Sequence, residues 1–155
     1  MFSMDTESAA VSILEMEPAD AEAVSRLSLE LGYQRSAAQV RAWVEALRCA
    51  GREQEAFVAA TENKIAGWIE ISIERRLQAA PFAFIGGLVV SEGWRGRGIG
   101  RQLCARAEAW AWERDVETVR VTSRSTRADA HRFYLRDGYR EVKTSLVFEK
   151  PRPRS

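Results

Sequence analysis

The chain has 155 residues, 46% apolar and 29% charged, and its 23 Lys and Arg stand against 22 Asp and Glu for a net charge of +1. That length suits one domain, here 1–155 with loose ends at 1–10 and 151–155, and the apolar share excludes a disordered chain. Near-neutrality argues against a nucleic-acid binder, which carries a basic excess.

No apolar run approaches the roughly 18 residues of a membrane span, so no membrane partner is expected. The start MFSMDTESAA is acidic and lacks the basic and apolar regions of a signal peptide. Cys49 and Cys104 fall in helical patterns without a CxxC spacing. They are expected as reduced thiols in a cytoplasmic protein. With one histidine, His131, they are too few to close a zinc site, so no metal is expected.

In chain order, VSILEM (11–16) reads as a strand. Pro18 suits a first helical turn, where its missing N–H costs nothing. Val24, Leu27 and Leu31 follow at helical spacing, and Gly32 ends the helix. Ser36-Ala-Ala-Gln39 is a capping box for a second helix with Val40, Trp43, Val44 and Leu47 inward and Gly51 as C-cap. EAFVAA (55–60) reads as a strand, with a turn at 62–64. The next strand has period two: Ile65, Gly67, Ile69, Ile71 and Ile73 on one face, Trp68, Glu70, Ser72 and Glu74 on the other. A loop is expected at 75–81. PFAFIGGLVV (81–90) is apolar on both faces and hence central, and Gly86-Gly87 mark a bulge or a close backbone approach.

A Gly-rich turn (91–97) leads to a helix over 98–114 with Ile99, Leu103, Ala107, Trp110 and Ala111 inward. VETVRVTS (116–123) reads as a strand. Thr126-Arg-Ala-Asp129 is a second capping box, for a helix that stops at Gly138. YREVKTSLVFEK reads as a hairpin of two strands. The order β-α-α-β-β-β-α-β-α-β-β makes an α/β chain with a mixed sheet and helices on its faces.

The most informative segment is Leu88-Val-Val-Ser-Glu-Gly-Trp-Arg95-Gly-Arg-Gly-Ile-Gly100-Arg101. A central strand runs through glycines 96, 98 and 100 into a helix. Backbone N–H groups at such a helix start form an anion nest, and glycines let a phosphate approach. Arg95, Arg97 and Arg101 flank the nest, and a diphosphate is its natural occupant. A Walker A loop needs Gly-Lys-Ser/Thr, which is absent. A dinucleotide fingerprint puts Arg101 or Leu103 at its third glycine and fails.

Arg95-Gly96-Arg97-Gly98-Ile99-Gly100 resembles the R/Q-x-x-G-x-G/A signature of the GNAT N-acetyltransferases. Ala130-His-Arg-Phe-Tyr134-Leu-Arg-Asp-Gly138-Tyr139 is similar to their second motif, a helix ending Tyr-x-x-x-Gly-Phe/Tyr. The resemblance covers most of the chain. It implies a mixed, mostly antiparallel sheet flanked by helices, and acetyl-CoA as co-substrate. Main-chain groups of Leu88, Val89 and Val90 would pair the pantetheine like an added strand. The N–H groups of Gly96, Arg97, Gly98, Ile99, Gly100 and Arg101, with Arg95 beside them, would hold the pyrophosphate.

The resemblance also implies that Tyr134 protonates the departing thiolate. Arg127 stands where many relatives carry an Asn near the cofactor; it could reach a phosphate, as could Arg136, and a solvated helix face is the plainer reading of both. Thr122 replaces the Glu that some relatives carry, so deprotonation of the amine through water is expected. Glu70 is a candidate base whose plainer reading is a surface carboxylate, and Glu92 shapes the phosphate turn. His131 reads as structural, with a CoA contact as the alternative. Trp68 and Tyr33 are candidate liners of an acceptor cleft built by 18–50 and the 75–81 loop. The acceptor class is a small-molecule or peptide amine, and family habit implies a homodimer. A CoA-binding sensor without turnover is the competing class of function.

Overall fold

The structure is a computed structural model describing residues 10–49 and 53–154. The chain forms two compact units, divided between Thr122 and Ser123.

The first unit is built on a five-stranded sheet of order β1-β2-β3-β4-β5: Ser12–Glu15, Gln54–Ala60, Ile65–Arg76, Ala79–Val90 and Val119–Val121. Strands β1 to β4 run antiparallel, and β5 joins β4 in parallel. The sheet is therefore mixed and mostly antiparallel, as expected. A 3₁₀ turn at Pro18–Asp20 leads into α1 (Ala21–Leu29). Helix α2 (Ala37–Cys49) opens on the expected capping box: Gln39 N–H donates to Ser36 Oγ at 3.1 Å and Ser36 N–H to Gln39 Oε1 at 2.9 Å. Gly51, expected as its C-cap, lies outside the described residues.

Each sheet face is sealed by helices. Val24 of α1 and Val40, Val44 and Leu47 of α2 pack with Met16, Ala56 and Val58 in one core cluster. Helix α3 (Ile99–Trp112) covers the other face, where Phe57, Ile69 and Ile71 are buried, and it buries Ile99, Leu103, Ala107, Trp110 and Ala111 as their spacing requires. Each buried aliphatic or aromatic side chain contributes about 1.5–3 kcal/mol. Arg48 at the end of α2 ties helix to sheet: its guanidinium meets the buried Glu55 carboxylate of β2 at 2.8 Å and also donates to Met16 O.

Three expectations for this unit are corrected. Ile65 does not share a face with Ile69: the register shifts between Ala59 and Ala60, and Ile65 packs with Trp68 against the cluster beneath α1 and α2. No loop spans 75–81: β3 continues to Arg76 and β4 begins at Ala79, leaving a turn at Leu77 and Gln78. Pro81 falls where the register slips between Glu74 and Arg76, so its missing N–H breaks no ladder. Strand β5 holds three residues rather than the eight expected.

In the second unit, α4 (Ala128–Arg136) takes Arg127 as N-cap with no side-chain capping bond, so the Thr126–Asp129 box does not form. The helix starts one residue later than the box requires. It ends as a Schellman turn: Tyr139 N–H donates to Tyr134 O at 2.9 Å, Gly138 N–H to Leu135 O at 3.3 Å, and Gly138 takes φ +96°. The expected C-terminal hairpin is absent: residues 139–154 hold no strand, and Val142, Leu146, Val147 and Phe148 are exposed. Alternating apolar residues assign a face but supply no partner, and two strands with an uncovered apolar face are marginal in water.

Candidate functional site

The Gly-rich turn is shaped for an anion. A 3₁₀ turn (Glu92–Trp94) follows β4, and Gly96 and Gly98 both take φ +79°, a region that L side chains avoid. The N-cap of α3 is Gly98, which has no side chain to cap it. The first acceptor of the helix, Gly98 O, takes the Gln102 N–H at 3.0 Å, so the N–H groups of Ile99, Gly100 and Arg101 lie ahead of the helical ladder. A Cβ built on Gly96 or Gly98 meets nothing within 4 Å, so the space above the turn is open. Arg97 stacks over the Trp94 ring at 4.8 Å, and Arg95 Nε donates to Val90 O at 3.2 Å. Glu92 contributes its main chain, its N–H donating to Glu30 Oε1 at 2.9 Å.

Upstream, β4 parts from β5. Their parallel pairing ends at Ile85↔Val121, while β3 stays paired to β4 as far as Val90. Among the described residues, Leu88, Val89 and Val90 therefore have a strand neighbour on one side only. Val89 is buried, so its contribution to a ligand would be its backbone.

The bulge expected at the two glycines is present: Glu70 pairs with Gly87 and Ile71 with Ile85, leaving Gly86 over. Here the structure departs from a surface reading of Glu70. Its side chain is half-buried and lines a cleft of about 270 Å³ with Met16, Val24, Tyr33, Arg35, Val40, Trp43 and Trp68. Burial raises the Glu70 pKa above its ordinary 4.5, since desolvation disfavours the charged form. The glycines make the room: a Cβ on Gly86 would lie 2.7 Å from Glu70 Oε1, and one on Gly87 would lie 2.8 Å from the Trp68 ring. Trp68 Nε1 is buried and meets no hydrogen-bond partner among the described residues.

The first unit thus brings together Leu88 to Val90, the 95–101 turn and Glu70, with Trp68 and Tyr33 in the cleft wall as expected. The 75–81 segment does not line that cleft. Tyr134, Arg127, His131 and Arg136 belong to the second unit. There Tyr134 packs edge-on against Phe133 and Tyr139, at 5.2 and 5.7 Å between centroids. His131 Nε2 lies 2.8 Å from Arg124 O. Arg35 and Trp43 were missing from the residues expected at the cleft. Trp43 reads as core at helical spacing, and Arg35 stands in a loop with no pattern to flag it. Among the described residues no group of three or more His, Cys, Asp or Glu could hold a metal ion, and no helix is long and apolar enough to cross a membrane.

The chain is 36% identical over 85 residues to an aminoalkylphosphonate N-acetyltransferase of Salmonella typhimurium, a match spanning 54% of this chain and 55% of that protein. It is 26% identical over 147 residues to an aminoglycoside N(6')-acetyltransferase type 1 of Stenotrophomonas maltophilia, spanning 92% and 94%. The aminoglycoside N-acetyltransferase AAC(6')-Iy, solved in complex with CoA, shares the fold at a TM-score of 0.82 with 18% identity, covering 94% of this chain and 97% of that one. The acetyltransferase (GNAT) family model matches residues 20–139, and the chain belongs to that family.

Proposed function

We propose that this chain is an N-acetyltransferase that moves the acetyl group of acetyl-CoA to a primary amine of a small molecule. The observation that carries the reading is the parting of β4 from β5 after Ile85, just upstream of a helix start whose N-cap is a left-handed glycine. A one-sided strand and a backbone anion nest in sequence fit the pantetheine arm and pyrophosphate of CoA. The names of the two curated relatives, both N-acetyltransferases of small amines, support the same class.

When bound, acetyl-CoA supplies a thioester whose acyl carbon takes the amine nitrogen as the C–S bond breaks. In this proposal Leu88 to Val90 align the arm by main-chain hydrogen bonds. The N–H groups of residues 96–101, with Arg95, Arg97 and Arg101 around them, hold the diphosphate, and Arg127 adds a cation toward it. An alkylammonium has a pKa near 10.4, so freeing its nitrogen at pH 7 costs about 4–5 kcal/mol. The Glu70 carboxylate, directly or through water, takes that proton. The Tyr134 hydroxyl gives one to the leaving sulfur, and the second proton that the nitrogen sheds on becoming an amide restores the phenol. Both units act as one domain in this reading.

Calorimetric titration with acetyl-CoA, with CoA thiol release on a panel of amines, tests it. Binding followed by amine-dependent release supports an enzyme. Binding without release on any amine would favour a CoA-binding sensor, and a folded protein that binds no acetyl-CoA would overturn both.

A further inference from the structure

Glu70 is the one carboxylate lining the cleft, and no ion pair or hydrogen bond engages it among the described residues. It lies against the bare backbone of Gly86, with the buried, unpartnered Trp68 indole N–H in the same wall. A half-buried carboxylate without a partner is costly unless a cation completes it. The rest of the wall sets what that cation can be attached to. Met16, Val24, Val40, Trp43 and Trp68 offer apolar and aromatic surface, and the single charged neighbour, Arg35, is itself positive.

We infer that the cleft selects as acceptor a compact primary amine with one positive charge and a flat apolar body, its ammonium set on Glu70. The transfer step rests on the acetyltransferase reading; the binding does not. The ammonium gains a charge-assisted hydrogen bond where water competes poorly. The apolar body lies against the Trp43 and Trp68 surface of the wall, where aromatic contact adds to burial. A polyamine or aminoglycoside would leave its remaining ammonium groups against apolar wall and Arg35, stripped of water with no carboxylate to meet them. This separates the chain from the aminoglycoside enzymes that share its fold, because their substrates carry several charges and this cleft offers one counter-charge.

The experiment is an equilibrium titration of the full chain with four probes: 2-phenylethylamine, its neutral isostere 2-phenylethanol, spermidine and tobramycin. Tryptophan fluorescence and calorimetry report binding without turnover. The amine should bind about tenfold or more tighter than the alcohol and than either polycation, the scale of one charge-assisted hydrogen bond. Glu70→Gln should bring the amine to the affinity of the alcohol. Should that variant fail to fold, the amine–alcohol comparison on the unaltered chain decides alone. Equal binding of amine and alcohol, tighter binding of a polycation, or no amine binding at millimolar concentration would overturn the inference. The same probes with acetyl-CoA separate the two readings. Glu70-dependent amine binding without thiol release would uphold the cleft assignment and overturn the enzyme. Thiol release with tobramycin but not 2-phenylethylamine would do the reverse.

Discussion

The carboxylate of Glu70 occupies space that exists because residue 86 has no side chain: a Cβ there would stand 2.7 Å from Oε1. The atom in the way is the free end of a flexible side chain. Gly86→Ala should therefore move the carboxylate rather than break the sheet. Stability should stay within about 1 kcal/mol, the scale on which alanine and glycine differ in a strand. Amine affinity should fall as the carboxylate is displaced. Thermal melting with the 2-phenylethylamine titration checks both. A variant with unchanged amine affinity would detach Glu70 from the cleft's chemistry.

Gly67→Ala is the contrasting case. Its Cβ would lie 2.7 Å from Val89 O and 3.2 Å from Leu103 Cδ1. Here the obstacle is the backbone of the neighbouring strand, sealed under α3. Overpacking of this kind costs about 1–3 kcal/mol. Denaturant melts should show that loss, with β4 shifted where the proposed cofactor edge begins.

The raised pKa of Glu70 has a sign that can be read in stability. Its folded value lies above the ordinary 4.5, so its contribution to stability is fully present below 4.5 and is lost as pH rises through the folded value. Glu70→Gln keeps the shape and removes the titration. Parent and variant should therefore converge in melting temperature below pH 4.5. Above it the variant should gain on the parent and hold a constant lead once Glu70 is ionised. Titration of all other groups cancels in the difference. A difference that is flat with pH would place Glu70 in water.

Arg48 and Glu55 form the tie between α2 and β2, with the Ala56 N–H also donating to Glu55 Oε1 at 2.9 Å. Arg48→Met leaves a buried carboxylate without its cation. The loss should be about 3 kcal/mol, toward the lower end for broken buried pairs because Arg48 keeps some contact with water. Arg48→Met with Glu55→Gln should recover part of it. Urea melts of the single and double variants supply the coupling energy.

What the sequence disclosed, and what it hid, follows from the range of each signal. The inward residues of α3 were legible because helical spacing is local and the sheet beneath them is continuous. The bulge was legible from adjacent glycines. The role of Glu70 was not, since strand alternation assigns it a polar face without revealing that Gly86 stands across the hairpin. Counting pairs back from the turn at Leu77 and Gln78 sets Glu70 opposite Ile85, and only two register shifts, one of them beside Pro81, carry it to Gly87 and leave Gly86 over. The C-terminal strands failed for the complementary reason: Val142, Leu146 and Phe148 alternate as a strand would, yet pairing depends on a partner that local pattern cannot supply.

Tyr134 provides the last test. Its ring packs edge-on against Phe133 and Tyr139, and its carbonyl closes the end of α4 by accepting the Tyr139 N–H. Those are contacts of ring and backbone, which phenylalanine keeps. Tyr134→Phe removes the hydroxyl alone. If that hydroxyl donates to the leaving sulfur, kcat should fall by about 10²–10⁴-fold, the usual worth of general acid help. Acetyl-CoA affinity should change little, because it does not depend on the proton transferred. A purely structural tyrosine predicts the reverse, with kcat retained. Single-turnover measurement on an accepted amine makes the test sharp, because product release then cannot mask the chemical step. A Tyr134→Phe protein within threefold of the parent rate in that measurement would remove Tyr134 from the mechanism and leave the sulfur to be protonated by water.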